Sequence, residues 1–294
     1  MKWKTKITDL LGCQYPILQG ATNKLGGWEL AAAIANTGAH GTITASVSNT
    51  PEQLLDDIRK CKNATTGTGT FGVNLSIGRL SRVEDMLNVC IEEQVPIETS
   101  LYKPDSLATL IKKSGLPWLH KVARIKDALH VQALGVDAVV LVGLEGGGIK
   151  NPNQLPTLTT IRYGVRSLSV PIIAAGGIGD AHGFLGALSL GAEGVMMCSA
   201  FLTAKESPVS HQDKESMLTL DLDDVEFRTR VMSPRTFDLK APQPNQQEIN
   251  WVNNVSFGVA GITKVLSVKQ LVDCMISDAT EILNKLNTQI THLN

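Results

Sequence analysis

The sequence predicts a (β/α)8 barrel followed by a C-terminal extension. Three observations predict it. Eight short apolar runs recur along the chain, and all but the last precede a stretch with helical spacing, so consecutive strands lie parallel with a crossover between them. The eight units fit within about 200 residues, the length of one such barrel. The strongest runs, Val136–Val142 (VDAVVLV) and Pro171–Ala175 (PIIAA), are apolar without alternation, as strands covered on both faces are. A doubly wound open sheet has the same rhythm and is the alternative, since counting strands does not establish closure.

Taken in order, Pro16–Gly20 (PILQG) precedes the helical stretch Trp28–Thr37 (WELAAAIANT), which Gly38 is placed to end. Gly41–Ala45 (GTITA) precedes Pro51–Cys61, with Pro51 at a helix start. Phe71–Leu75 (FGVNL) leads to Arg82–Glu93, and Pro96–Thr99 (PIET) to Asp105–Lys113, bracketed by Pro104 and Gly115. Pro117–Val122 (PWLHKV) leads to Ile125–Leu134, closed by Gly135, and Val136–Val142 to Leu158–Ser167. Pro171–Ala175 leads to Asp180–Leu190, closed by Gly191, and Gly194–Met197 (GVMM) is the eighth run. The barrel is used up near Lys205, giving a barrel over 1–205 and an extension packed on it over 206–294. Glu206–Asn250 is polar and carries Pro208, Pro234, Pro242 and Pro244, so it reads as loops with one helix near Asp223–Val231. Val265–Leu286 has apolar residues at helical spacing and reads as a closing helix.

Composition excludes several classes of function. Hydrophobic residues make up 43% and charged residues 19% of the 294, enough to bury a core and too apolar for disorder. Lys+Arg 27 against Asp+Glu 28 leaves a net charge of −1, so no basic excess draws the chain to nucleic acid or anionic lipid. Aromatics at 4% offer few base-stacking platforms. The cysteines Cys13, Cys61, Cys90, Cys198 and Cys274 form no CxxC pair and no metal-ligand spacing, which fits reduced thiols and no bound metal. No secretory leader is apparent in Met1–Gly12, and no run approaches the ~18 apolar residues of a membrane span. The expectation is a cytoplasmic protein acting on a small molecule, with no nucleic-acid or membrane partner and with a homodimer as its oligomeric form.

In such barrels the loops at the carboxyl ends of the strands build the site. After the seventh run comes Gly176-Gly177-Ile178-Gly179-Asp180, entering a helix, and after the eighth comes Cys198-Ser199-Ala200, also entering one. Unpaired N–H groups at helix starts attract phosphate, and glycine lets the backbone approach it. The two loops therefore read as a phosphate grip, with Ser199 as a hydroxyl donor; the bland alternative is a tight turn. After the sixth run, Gly143-Leu144-Glu145-Gly146-Gly147-Gly148-Ile149 suits a flat ligand against bare backbone, with Glu145 beside it, or a hinged lid. Gln19-Gly20-Ala21 closes the first run. Asn74 can donate and accept to a heterocycle edge. Lys121 suits an anionic ring edge or an ordinary rim ion pair. His40 reads as structural, His130 as a helix position, and His211 and His292 as polar tail positions; His182 reads equally as a phosphate neighbour or a solvated helix position, and Cys198 as a small corner residue rather than a reactive thiol.

The motifs YPILQGA, ELAAAIANTGAHGTI, FGVNL, HKV, GLEGGG, PIIAAGGIGDAHG and LGAEGVMMCSAFLTAKES together resemble the nitronate monooxygenases (2-nitropropane dioxygenases), whose superfamily includes the flavin-dependent enoyl-ACP reductases. The resemblance covers roughly residues 7–207. It implies an FMN-binding barrel. Gln19, Gly20 and Ala21 would run beside the flavin, and Asn74 would bond its ring. Lys121 would sit at its pyrimidine edge, and Glu145, Gly147 and Gly148 would lie along it. Gly176, Gly177, Met196, Met197, Cys198 and Ser199 would hold its phosphate. The resemblance also implies that Ile149 stands where the family pattern G-x-E-A-G-G-H has its general-base His. An isoleucine cannot take a proton, so an already ionised nitronate is the better substrate than a neutral nitroalkane. Two alternatives follow. One is an NAD(P)H-dependent flavin reductase of an enoyl thioester or quinone. The other is a degenerate barrel that binds a phosphorylated ligand without redox activity. With Ile149 in place of His the catalytic residue is unassigned, Lys121 and Glu145 being the candidates.

Overall fold

The structure is a computed structural model describing residues 3–148, 151, 153–233 and 255–291. Its strands are β1 (Ile17–Gln19), β2 (His40–Thr44), β3 (Thr70–Ser76), β4 (Ile97–Ser100), β5 (Trp118–Val122), β6 (Ala138–Val142), β7 (Ile172–Ala175) and β8 (Gly194–Met197). All neighbours pair in parallel, and β1 pairs with both β2 and β8, so the sheet closes on itself and the open-sheet alternative is excluded. The helices are α1 (Lys6–Leu11), α2 (Trp28–Ala35), α3 (Pro51–Ala64), α4 (Val83–Glu92), α5 (Asp105–Ser114), α6 (Ile125–Leu134), α7 (Thr157–Ser167), α8 (Ala181–Ser189), α9 (Ser199–Leu202), α10 (His211–Leu218), α11 (Val225–Met232) and α12 (Val268–Thr291).

Local chemistry sets the element ends. The Thr50 hydroxyl accepts from the Gln53 N–H at 3.3 Å ahead of Pro51, which opens α3 with the residue that has no N–H to lose. Gly115 and Gly135 end α5 and α6 at φ 70° and 91°, a conformation that other residues enter at a cost.

The strands bury two layers. Ile17, Val73, Ile97, Val139, Leu141 and Val195 face the helices. Leu18, Leu119, Val140, Ile173 and Met196 fill the barrel interior together with Ile7 and Leu11 of α1. That helix was not expected from the sequence. Its single turn and a half is too short for periodicity to register, yet a Thr5–Thr8 capping box starts it and Ile7 is fully buried. Ile7 also lies against Gly194 at the amino end of β8, so α1 plugs the barrel floor.

In the extension, α12 packs on α8 and α2 through Val268, Val272, Met275 and Ala279. A further cluster joins Val209, Met217 of α10, Phe227 and Val231 of α11, Val255 and Val259 to Leu25 and Leu202 of the barrel. Helix α10 and a short 3₁₀-helix, Phe257–Gly261, fall where the sequence suggested only loops or no element. Pro234, Pro242, Pro244 and His292 lie outside the described residues. Among those described, no helix is long and apolar enough to cross a membrane.

Candidate active site

At the carboxyl end of the barrel, pairing brings polar residues of β3, β4 and β5 into one row. Asn74 lies opposite Glu98, Ser76 opposite Ser100, and Ser100 opposite Lys121. The Asn74 amide oxygen accepts from Ser76 Oγ at 2.9 Å, and its amide nitrogen donates to Ser100 Oγ at 3.2 Å. Asn74 is fully buried, so its orientation is fixed by these two hydroxyls.

Glu98 was not singled out in the sequence, although a carboxylate inside the run PIET is the signal that could have found it. It is 5% exposed. Burial pushes its carboxyl up to about 7, against the pull of Lys121 and a hydrogen bond from Asn74. Its Oε1 is buried with no hydrogen-bond partner. Cys198, half-buried after β8, feels the same pair: burial raises its thiol, Lys121 lowers it and Glu98 raises it.

Strands β7 and β8 are neighbours, so their exit turns emerge side by side. Gly176 and Gly177 take φ 101° and 74° in succession, exposing bare backbone where a phosphate grip was expected. A Cβ on Gly177 would meet Glu145 Cβ at 3.0 Å. On the other side, a Cβ on Gly20 would lie 2.3 Å from Cys198 Sγ, so the first and last strand ends touch only because residue 20 has no side chain. The Gln19 amide oxygen accepts from the Thr42 N–H at 2.9 Å, while its Nε2 is buried without a partner. Ala21 offers its carbonyl to Cys198 Sγ at 3.8 Å, and Met196 and Met197 are buried.

Two expected ligand contacts are occupied by the protein itself. The Ser199 hydroxyl hydrogen-bonds Ser256 Oγ at 2.9 Å and accepts the Ser256 N–H at 3.0 Å, tying the β8 turn to the extension. Glu145 Oε2 accepts from the Thr157 N–H and hydroxyl, both at 2.7 Å, and so caps α7. Gln154 donates to the carbonyls of Val142 and Gly143 at 2.7 and 2.8 Å, pinning the base of the same loop. Gly147 and Gly148 are exposed above it, and Ile149 lies outside the described residues.

His40 and His120 sit away from this cluster. Burial lowers both to about 4, with the ring of His40 bonded to Thr70 Oγ1 at 2.9 Å and that of His120 to Thr99 Oγ1 at 2.7 Å. Their folded values lie below the ordinary 6.5, so the unfolded chain binds more protons as pH falls from 6.5 toward 4, and stability is lost there. Glu98 acts in the opposite sense: raised from 4.5 to about 7, it costs stability as pH rises through that window. Stability in urea melts should therefore climb with pH from 4 to about 7, the two histidines outweighing Glu98, and level off above it, and Glu98→Gln should steepen the climb. An unchanged slope in that variant would mean that Glu98 is not strained by burial.

A family model described as nitronate monooxygenase matches residues 4–99 and 81–241. A curated relative in Mycobacterium tuberculosis, (3aS,4S,5R,7aS)-5-hydroxy-7a-methyl-1-oxo-octahydro-1H-indene-4-carboxyl-CoA dehydrogenase, is 33% identical over 233 residues. The match covers 79% of this chain and 64% of that protein's length. A probable nitronate monooxygenase of Staphylococcus aureus is 29% identical over 259 residues, covering 73% of this chain and 72% of its own. Among solved structures, FabK from Thermotoga maritima superposes with a TM-score of 0.81 at 26% identity, over 97% of this chain and 99% of that one. Nitroalkane oxidase from Streptomyces ansochromogenes shares the fold, with a TM-score of 0.78 at 18% identity over 96% of this chain and 100% of that one. The closed barrel with paired glycine turns at its rim and the family match agree: this chain belongs to the nitronate monooxygenase family, a family of flavin-dependent oxidoreductases.

Proposed function

We propose that the protein is an FMN-dependent oxidoreductase that oxidises a small nitronate or another electron-rich substrate. The observation that carries this reading is the pair of turns after β7 and β8, where Gly176 and Gly177 bare their backbone beside Cys198 and Ser199. The buried, unpartnered Gln19 Nε2 supports it, because a donor in that position fits a ligand rich in acceptors. When bound, FMN would supply the electron acceptor. The turn amides would hold its phosphate, Asn74 would present a preset amide to the ring, and Lys121 would place positive charge at the ring's edge. Glu145 would act indirectly, by capping α7 and holding the glycine loop in place. Ile149 neither gives nor takes a proton, which favours substrates that arrive ionised.

Purified protein should be yellow and release FMN on denaturation. Without oxygen, its flavin should be bleached by an alkyl nitronate. Colourless protein that takes up no added FMN defeats the reading. Gly177→Val should weaken FMN binding at least tenfold, about 1.4 kcal/mol, because the new side chain fills the turn against Glu145. Titration of the apoprotein with FMN measures this. A second reading, NAD(P)H-dependent reduction of an enoyl thioester or quinone, draws on the likeness to FabK and to a relative named for a CoA thioester. Bleaching by NADH or NADPH and not by nitronate would select it.

A further inference from the structure

We propose that Glu98 is a positioning residue that takes up a proton when the bound flavin is reduced, acting through Lys121 and Asn74. This rests on the flavin reading above. Glu98 lies opposite Leu119, two residues nearer the barrel floor than Lys121, so it sits beneath the row that meets a ligand at the mouth. It is 95% buried by its 5% exposure, and Oε1 has no partner. A carboxyl so placed with one oxygen unanswered is a costly feature next to the interior apolar cluster of Leu18, Leu119, Val140, Ile173 and Met196. The groups that act on it are few. Among the described residues they are Lys121 on β5, the thiol of Cys198 after β8, and the neutral amide of Asn74 on β3.

The coupling follows from charge. A hydride donor delivers two electrons and one proton to the flavin and is itself oxidised by two electrons, leaving one added negative charge at the ring. Lys121 is the nearby cation, and it is shared with Glu98. With the ring neutral, Lys121 favours the Glu98 carboxylate. With the ring negative, the carboxylate faces a second like charge and binds one solvent proton at its oxygen. Hydride and proton together keep the site's net charge unchanged. The carboxyl lies near 7 before reduction, so the exchange falls in the neutral range.

Two measurements test this. In the apoprotein, the infrared C=O band of a protonated buried carboxyl should titrate near neutral pH and vanish in Glu98→Gln. In the FMN-loaded protein, the midpoint potential should fall with pH more steeply than in Glu98→Gln, by one proton per two electrons above about pH 7. Lys121→Gln, which removes the shared cation, should move the added slope to higher pH, and it serves if Glu98→Gln fails to fold. Equal slopes in wild-type and variants, with FMN bound to each, overturn the proposal and leave the flavin reading standing. Failure of the wild-type protein to bind FMN, seen in its spectrum before any titration, overturns both.

Discussion

Replacing Gly179 with alanine is expected to detach the extension from the rim of the barrel. The new Cβ would lie 1.9 Å from the carbonyl oxygen of Gly258, and backbone cannot swing aside as a side chain can. The neighbouring contact is also close, since a Cβ on Gly261 would lie 2.7 Å from Cβ of Asp180, the N-cap of α8. Relief requires the 3₁₀ segment Phe257–Gly261 to lift, which pulls Ser256 from Ser199 and opens the cluster of Val255 and Val259 with Leu25 and Leu202. A cost of about 3 kcal/mol follows from such overpacking, with a lower melting temperature and weaker flavin binding because the β8 turn loses its tie. Gly186→Ala is the matched control: it lies in α8 with open space around it, so alanine should be neutral or add up to about 1 kcal/mol through helix propensity. If Gly179→Ala melts and binds flavin as the wild type does, the extension does not brace the rim.

Thr99→Val should be the most damaging conservative change in the strands. The Thr99 side chain is fully buried, and its one hydroxyl serves Trp118 Nε1 at 2.8 Å and His120 Nδ1 at 2.7 Å. Valine keeps the volume and the β-branch but strands two buried polar groups at once. Each costs about 1–3 kcal/mol when left unpaired, so a loss of several kcal/mol in chemical denaturation is expected. Thr99→Ser retains the hydroxyl and should lose only the methyl, about 1 kcal/mol. Equal stability of the valine and serine variants would show that the indole and imidazole find other partners.

Much of the fold was legible in the chain. All eight apolar runs are strands, and the helical stretches between them are helices, shifted by a few residues at most. The reason is local: a strand covered on both faces must be apolar throughout, a helix must alternate at its own period, and Gly and Pro mark the ends. Elements whose stability comes from distant partners were not legible. Helix α1 exists because the barrel floor needs Ile7 and Leu11, and α10 because Met217 joins the buried cluster that includes Leu25 and Leu202 across the fold.

The site divides in the same way. Glycines at 20, 176 and 177 mark the rim in the sequence, because a left-handed turn or a close approach excludes other residues. The partners of the polar side chains do not show there. Ser199 spends its hydroxyl on a residue 57 positions later, Glu145 on one 12 later, and Asn74 on Ser100, 26 later. Glu98 is the extreme case. Whether a carboxylate is an ordinary charge or a costly one depends on what surrounds it, and that is set when eight strands close around it. Sequence determined which segments form and where the backbone is bare; tertiary structure decided which charges are buried, because desolvation belongs to the assembled interior and not to the residue.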